Sequence, residues 1–149
     1  MIHIREASTD DLPVLGRLFD EYRQFYQLPS DLEKANAYLE ARLGGHDSTV
    51  LVAADDGEEL IGFTQLYPTW CSLLPGPVYV LYDLYVAPRA RRRGVGRALI
   101  HAATERGRLD RKLRMSLSTA KANLGAQSLY ESLGWVRDEE FYVYNLNTL

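Results

Sequence analysis

Residues 91–96 read RRRGVG, three arginines set against two glycines, between an apolar run at 78–86, VYVLYDLYV, and a segment of helical periodicity. The apolar run is β-branched, aromatic and aliphatic, is interrupted by Asp83 and is followed by Pro88, which is the composition of a central strand. Downstream, Val95, Ala98, Leu99, Ala102 and Ala103 fall on one face of a helix. A strand that turns through glycine straight into a helix points unpaired backbone N–H groups outward at the positive end of the helix dipole. Gly94 and Gly96 leave no side chain to hold an anion away, and the arginines add attraction, so the turn reads as a seat for a pyrophosphate. A Walker loop would end in Gly-Lys-Ser/Thr and a Rossmann turn would add a third glycine after a first strand near the N-terminus; neither is present. A solvated basic loop that caps a helix is the bland alternative for the same residues.

Working outward, IHIR at 2–5 alternates as a half-buried strand does. Ser8 and Asp11 have capping-box spacing, Pro13 suits a first turn, and Leu12, Leu15, Leu18, Phe19, Tyr22, Phe25 and Tyr26 form an apolar stripe, predicting a helix. Ser30 and Glu33 repeat the capping pattern for a second helix running to Leu43 and closed by Gly44 and Gly45. STVLVAAD at 48–55 and ELIGFTQLYP at 59–68 are strand-like runs joined by an Asp-Gly hairpin signal. Beyond the central helix, RMSLST at 114–119 predicts a strand, NLGAQSLYESLGW at 123–135 a short helix ended by Gly134, and FYVYNL at 141–146 a last strand. The order is roughly β α α β β β α β α β, a mixed α/β arrangement.

A chain of 149 residues, 46% of them hydrophobic, has the length and apolar content of one domain with its own core, expected to span 1–149. A net charge of −3 makes the arginine cluster local, which argues against a nucleic-acid partner. No apolar run approaches the roughly 20 residues that cross a bilayer, and the first residues lack the apolar centre of a signal peptide, so a cytoplasmic protein without a membrane partner is expected. Cys71, the single cysteine, has no histidine near it in sequence and fits a reducing compartment. His3, His46 and His101 are dispersed and without acidic or thiol companions, so no metal site is expected.

The stretch DLYVAPRARRRGVGRAL resembles the central motif of the GNAT superfamily of acyl-CoA-dependent N-acetyltransferases, Gln/Arg-x-x-Gly-x-Gly/Ala, with Arg91, Gly94 and Gly96 at its fixed positions. Asn123, Ala126, Leu129, Tyr130, Gly134 and Trp135 are similar to the family's second motif, and the element order agrees along essentially the whole chain. The resemblance implies a GNAT fold: a mostly antiparallel twisted sheet of six to seven strands whose central parallel strands splay apart, flanked by about four helices. It implies acetyl-CoA as co-substrate, its pyrophosphate on Arg91, Arg92, Arg93, Gly94, Val95, Gly96 and Arg97, and its pantetheine arm paired to the backbone of Leu84, Tyr85 and Val86. A backbone N–H of Leu84 or Tyr85 would receive the thioester oxygen, Tyr130 would return a proton to the leaving thiolate, and Asn123 would cap its helix or touch the arm.

Acetylating an amine also needs a proton acceptor, because an alkyl amine is only about one part in a thousand neutral at pH 7. Asp83 is the candidate base, a carboxylate in an otherwise apolar strand, where a structural partner is the competing explanation. The segment YPTWCS with YVLYDLYVAP is also similar to the spermidine/spermine and thialysine acetyltransferase branch, which typically carries Glu-Asp where this chain has Tyr82-Asp83. The acceptor expected is a small cationic amine, a polyamine, diamine or amino-acid-like molecule. Tyr22, Phe25, Tyr26, Tyr67 and Trp70 would stack on it, and Asp20, Glu21 or Asp31 would stand near its charge. A coenzyme-binding sensor or scaffold with little turnover, and a protein N-acetyltransferase, are the competing functions. The aromatic last strand suggests a homodimer.

Overall fold

The computed structural model describes all 149 residues. Five strands, β1 (His3–Glu6), β2 (Thr49–Ala54), β3 (Leu60–Cys71), β4 (Gly76–Val86) and β5 (Met115–Ser116), make one sheet in chain order. Four helices accompany them: α1 (Leu12–Phe25), α2 (Leu32–Gly45), α3 (Val95–Leu109) and α4 (Leu124–Ser132). Two compact units result, 1–117 with the sheet and α1–α3, and 118–149 with α4. Neighbouring strands β1 to β4 are antiparallel, as short hairpin connections require, and β4–β5 is parallel, with α3 as its crossover.

The β2–β3 connection is built by a side chain rather than by glycine freedom. Asp55 Oδ1 accepts from the N–H groups of Gly57 and Glu59, both at 3.0 Å, and Glu58 takes the left-handed conformation at φ 62°. The β3–β4 pairing carries the feature on which the site depends. Gln65 pairs with Asp83 and Leu66 with Leu81, so Tyr82 is one extra residue in β4, a β-bulge. Ordinary alternation would place Tyr79, Leu81, Asp83 and Tyr85 on one face. With the bulge, Leu81 keeps the face of Tyr79, whose hydroxyl donates to Asp110 at the end of α3, while Asp83 and Tyr85 turn to the face of α1.

The core on that face joins Leu15, Leu18 and Phe19 of α1 and Ala35 and Leu39 of α2 to Val50, Val52, Phe63 and Tyr85 of the sheet. Of the apolar stripe read for the first helix, Leu12, Leu15, Leu18, Phe19 and Tyr22 join this core, whereas Phe25 and Tyr26 are exposed. Ser8 and Asp11 form the expected capping box around a 3₁₀ turn at Thr9–Asp11 that leads into this helix, the Ser8 N–H donating to Asp11 Oδ2 at 2.8 Å. The second helix is capped differently from expectation. Asp31, not Ser30, accepts from the Lys34 N–H at 3.0 Å, because the Ser30 hydroxyl donates to buried Asp20 at 2.6 Å. That helix also continues through Gly45 and closes on His46 in the left-handed region, φ 51°.

Three sequence expectations about the sheet are corrected. The strands number five rather than six to seven. RMSLST contributes only Met115 and Ser116 to the ladder, and FYVYNL forms no strand; Phe141, Tyr142, Val143, Tyr144 and Leu146 are all exposed. Aromatic and β-branched residues favour a strand only where a partner supplies hydrogen bonds and a face to pack on, and these residues have neither here. In the 118–149 unit, Asn123 Oδ1 caps α4 by accepting from Ala126 N–H at 3.2 Å, and Gly134 ends the turn at φ 91°.

On the opposite face, α3 lies against β3 at Gly62, where a Cβ would stand 2.8 Å from the Tyr85 carbonyl oxygen and 3.3 Å from Leu99 and Val95 side-chain carbons. Gly62→Ala should therefore cost about 1–3 kcal/mol through forced displacement of backbone. A thermal melt checks this, and an unchanged midpoint would show that α3 does not press on the strand.

Candidate active site

Asp83 is 5% exposed, and its environment is dominated by removal from water. Its Oδ2 accepts from Gln65 Nε2 at 2.9 Å across the bulged pair, and the Tyr22 hydroxyl, 3.5 Å from the Tyr82 carbonyl, also bonds to the carboxylate. Burial pushes the Asp83 carboxyl above the usual carboxylate range, partly offset by those two bonds. The same burial, together with the Asp83 charge, pushes the Tyr22 hydroxyl well above a normal tyrosine. Tyr67, on the same face of β3 as Gln65, is raised by burial, by its short hydroxyl bond to Tyr38 of α2 and by Asp83. Tyr82 packs its ring on Tyr67 at 5.6 Å and is exposed. A carboxylate with a raised pKa among tyrosine hydroxyls is chemically suited to accept a proton.

Of the aromatics expected around the acceptor, the fold gathers Tyr22 and Tyr67 at Asp83. Tyr26 stands one step out, its ring 5.2 Å from Tyr22, and Phe25 follows at 5.3 Å from Tyr26. Trp70 lies further along β3, paired in register with Pro77 and 77% exposed. The acids expected at the acceptor's charge are engaged elsewhere. Asp20 holds Ser30 and the Asp31 N–H, Asp31 caps α2, and Glu21 accepts from the Tyr85 hydroxyl at 3.3 Å.

The arginine-glycine turn follows β4 directly. Arg92 at φ 63° and Gly94 at φ 78° are both left-handed, a costly conformation for arginine, and together they swing the chain into α3. The first α3 rung is Ala98 N–H to Gly94 carbonyl, 3.0 Å, so the Val95 and Gly96 amides precede the ladder. No atom comes within 4 Å of a Cβ built on Gly94, leaving the approach open, and Arg92 and Arg93 are exposed beside it. Arg91 turns back instead: its Nε donates to the Val86 carbonyl at 3.0 Å and its guanidinium lies over the Tyr85 and Phe25 rings. Beside the turn, β4 meets β5 only at Tyr79 and Val80, so Leu84, Tyr85 and Val86 have no ladder partner on that edge. In the second unit Tyr130 is buried, with its ring 6.2 Å from Trp135.

Gln65, Ser48 and Tyr38 lie at the candidate site without having been singled out from the sequence, and Tyr82 was named there only as the residue in place of the related branch's Glu. Gln65 carries a signal in hindsight, being polar two positions after Phe63 in an apolar strand; Ser48 and Tyr38 carry none. No group of three or more His, Cys, Asp or Glu is arranged to hold a metal, and no helix is long and apolar enough to cross a membrane.

An unfolded aspartate titrates near 4, whereas native Asp83 holds its proton to higher pH. Through that interval the native state binds more protons than the unfolded chain, so this group lowers stability as pH rises. Asp83→Asn should thus raise the melting temperature at pH 8 by about 2–4 °C, the shift for roughly 1 kcal/mol in a chain of this size, with the gain shrinking toward pH 4. Melts across that range check it; a lower midpoint for the variant at pH 8 would mean that the partners more than compensate the buried charge.

The chain matches the Acetyltransferase (GNAT) family over residues 15–135. It is 43% identical over 146 residues to the uncharacterized N-acetyltransferase YhfO of Bacillus subtilis (strain 168), covering 98% of this chain and 97% of that one. A crystal structure of a probable acetyltransferase superposes with a TM-score of 0.92 at 38% identity, covering 99% and 98% of the two chains. The aminoglycoside N-acetyltransferase AAC(6')-Iy, solved in complex with CoA, shares the fold at a TM-score of 0.82 and 23% identity, over 98% of this chain and 95% of its own. The bulged strand with its buried carboxylate and the glycine turn behind it thus sit in a protein that belongs to the GNAT family and is an acetyltransferase.

Proposed function

We propose that the protein acetylates the primary amine of a small cationic molecule, a polyamine, diamine or amino-acid-like compound, using acetyl-CoA as co-substrate and direct attack with both substrates bound. The observation that carries the reading is Asp83: a buried carboxylate with a raised pKa, among tyrosines, on the strand that leads into an open glycine turn. The residues present suit the coenzyme. The Val95 and Gly96 amides and the exposed Arg92 and Arg93 form an anion seat beside Gly94, where the approach is open, and the related fold of AAC(6')-Iy binds CoA. Acetyl-CoA, when bound, supplies an activated thioester.

The chain's own residues would do the rest. Residues 91–97 hold the pyrophosphate once Arg91 releases the Val86 carbonyl, and the edge at Leu84 to Val86, which has no ladder partner there, aligns the arm, with a Leu84 or Tyr85 N–H polarising the carbonyl. Asp83 takes the amine proton as nitrogen attacks, and Tyr22, Tyr26, Tyr67 and Trp70 stack on the acceptor's alkyl chain and charge. Tyr130, at the family's motif position for the acid, returns a proton to the departing sulfur, and Asn123 caps the helix that carries it. Residues 1–149 act as one catalytic domain. The polyamine branch remains the guide to acceptor class, with Tyr82 in place of its Glu.

A thiol-release assay with acetyl-CoA against polyamines, lysine analogues and aminoglycosides tests the reading. We expect turnover with at least one cationic amine, an acidic limb of kcat/KM lying above the ordinary carboxylate range because Asp83 is buried, and a loss of about 10²–10⁴-fold in Asp83→Asn. Tyr130→Phe should lower turnover by about one to three orders of magnitude with coenzyme affinity little changed. Silence from every cationic amine would overturn the acceptor class, and wild-type rates in both variants would remove the assigned base and acid.

A further inference from the structure

Gln65 is fully buried, and both ends of its amide are engaged: Oε1 accepts from the Ser48 hydroxyl at 2.9 Å and Nε2 donates to Asp83 Oδ2 at 2.9 Å. Asp83 has no cationic partner. The groups facing it are the Gln65 amide and Tyr67 from β3, the Tyr22 hydroxyl from α1 and the neighbouring Tyr82 of β4, with Tyr38 and Arg42 of α2 standing behind Tyr67. A carboxylate only accepts hydrogen bonds, whereas a protonated carboxyl must also donate one, and a buried donor without an acceptor is strongly disfavoured. A base at this depth therefore needs a neighbour that serves both protonation states.

We infer that Ser48 and Gln65 are a positioning pair that follows the proton on Asp83, the Gln65 amide presenting Nε2 to the carboxylate and rotating to present Oε1 to the carboxyl. A primary amide has nearly the same shape after a half-turn but the opposite polarity, so the buried space admits both orientations. Ser48 makes the turn tolerable, because a hydroxyl donates to Oε1 in one state and accepts from Nε2 in the other. When the amine nitrogen loses its proton, the N–H bond breaks, an O–H bond forms on Asp83, and that O–H donates to Gln65 Oε1. Release of the proton to solvent returns the amide to its first orientation. The catalytic meaning rests on Asp83 being the base, but the coupling itself belongs to the resting protein.

The test is NMR on the full chain without ligands, with the aspartate carboxyl carbons and glutamine side-chain nitrogens labelled and Asp83 and Gln65 assigned from Asp83→Asn and Gln65→Met. The Gln65 NH₂ signals should titrate with the same midpoint as the Asp83 carboxyl carbon. In Gln65→Met, similar in size and without donor or acceptor, that midpoint should rise by about one pH unit, since the bond to the charged form is the stronger one lost. In the thiol-release assay the acidic limb should move with it, and Ser48→Ala should lower kcat/KM by about 3–10-fold with Ser48→Thr restoring it. Gln65 signals that stay fixed while Asp83 titrates would overturn the inference, and so would a folded Gln65→Met with the Asp83 midpoint unmoved. Should that variant not fold, the wild-type titration alone decides. The two readings fail separately: full activity in Asp83→Asn removes the base while leaving the co-titration in place, and independent titration removes the coupling while leaving the base.

Discussion

One extra residue in β4 governs this molecule. A strand presents side chains alternately to its two faces, so a carboxylate two residues after Leu81 would ordinarily enter the apolar layer under α3. The insertion of Tyr82 opposite Gln65 breaks the alternation and sends Asp83 to the face of α1 and α2, where Gln65, Tyr22 and Tyr67 can hydrogen-bond or surround it. The bulge thereby satisfies two demands at once. It keeps the α3 face apolar through Leu66 and Leu81, and it gives a buried charge its polar partners.

The arginine-glycine turn and the carboxylate are tied through the same strand. Arg91 leaves the turn to bond the Val86 carbonyl and lie over Tyr85 and Phe25, while Tyr85 packs on Tyr22 and Phe63 and donates to Glu21. The end of α1, the end of β4 and the start of the α3 loop thus share one aromatic cluster. Asp20 adds a second tie: buried in α1, it accepts from Ser30 and the Asp31 N–H, and so fixes the connection between α1 and α2. Those bonds hold its carboxyl below the usual range, opposite to Asp83, whose bonds are too few to offset its burial. Two buried aspartates thus differ in proton affinity, one lowered by its hydrogen bonds and one raised by its burial.

The expectations that failed share a cause. Ser30 has the right spacing to cap α2, but Asp20 competes for its hydroxyl from the neighbouring helix, and Asp31 takes the role. FYVYNL has strong strand propensity, yet propensity acts only where a ladder exists. For Ser30 a residue of the preceding helix decided the outcome, and for FYVYNL the lack of a ladder did.

The sequence by itself determined the periodicities that build α1, α3 and strands β1 to β4, the glycine turn that opens α3, and the two motifs that identify the family, because each depends on neighbours within a few residues. It also marked Asp83, since a lone carboxylate in an apolar run is conspicuous without any coordinates. Only the tertiary structure decided which face Asp83 occupies, that Gln65, Tyr22 and Tyr67 stand around it, and that Ser48 and Tyr38 stand behind Gln65 and Tyr67. Strand register and the position of a bulge are set by pairing between segments, and a shift of one residue exchanges the two faces of the sheet, which no local pattern can encode.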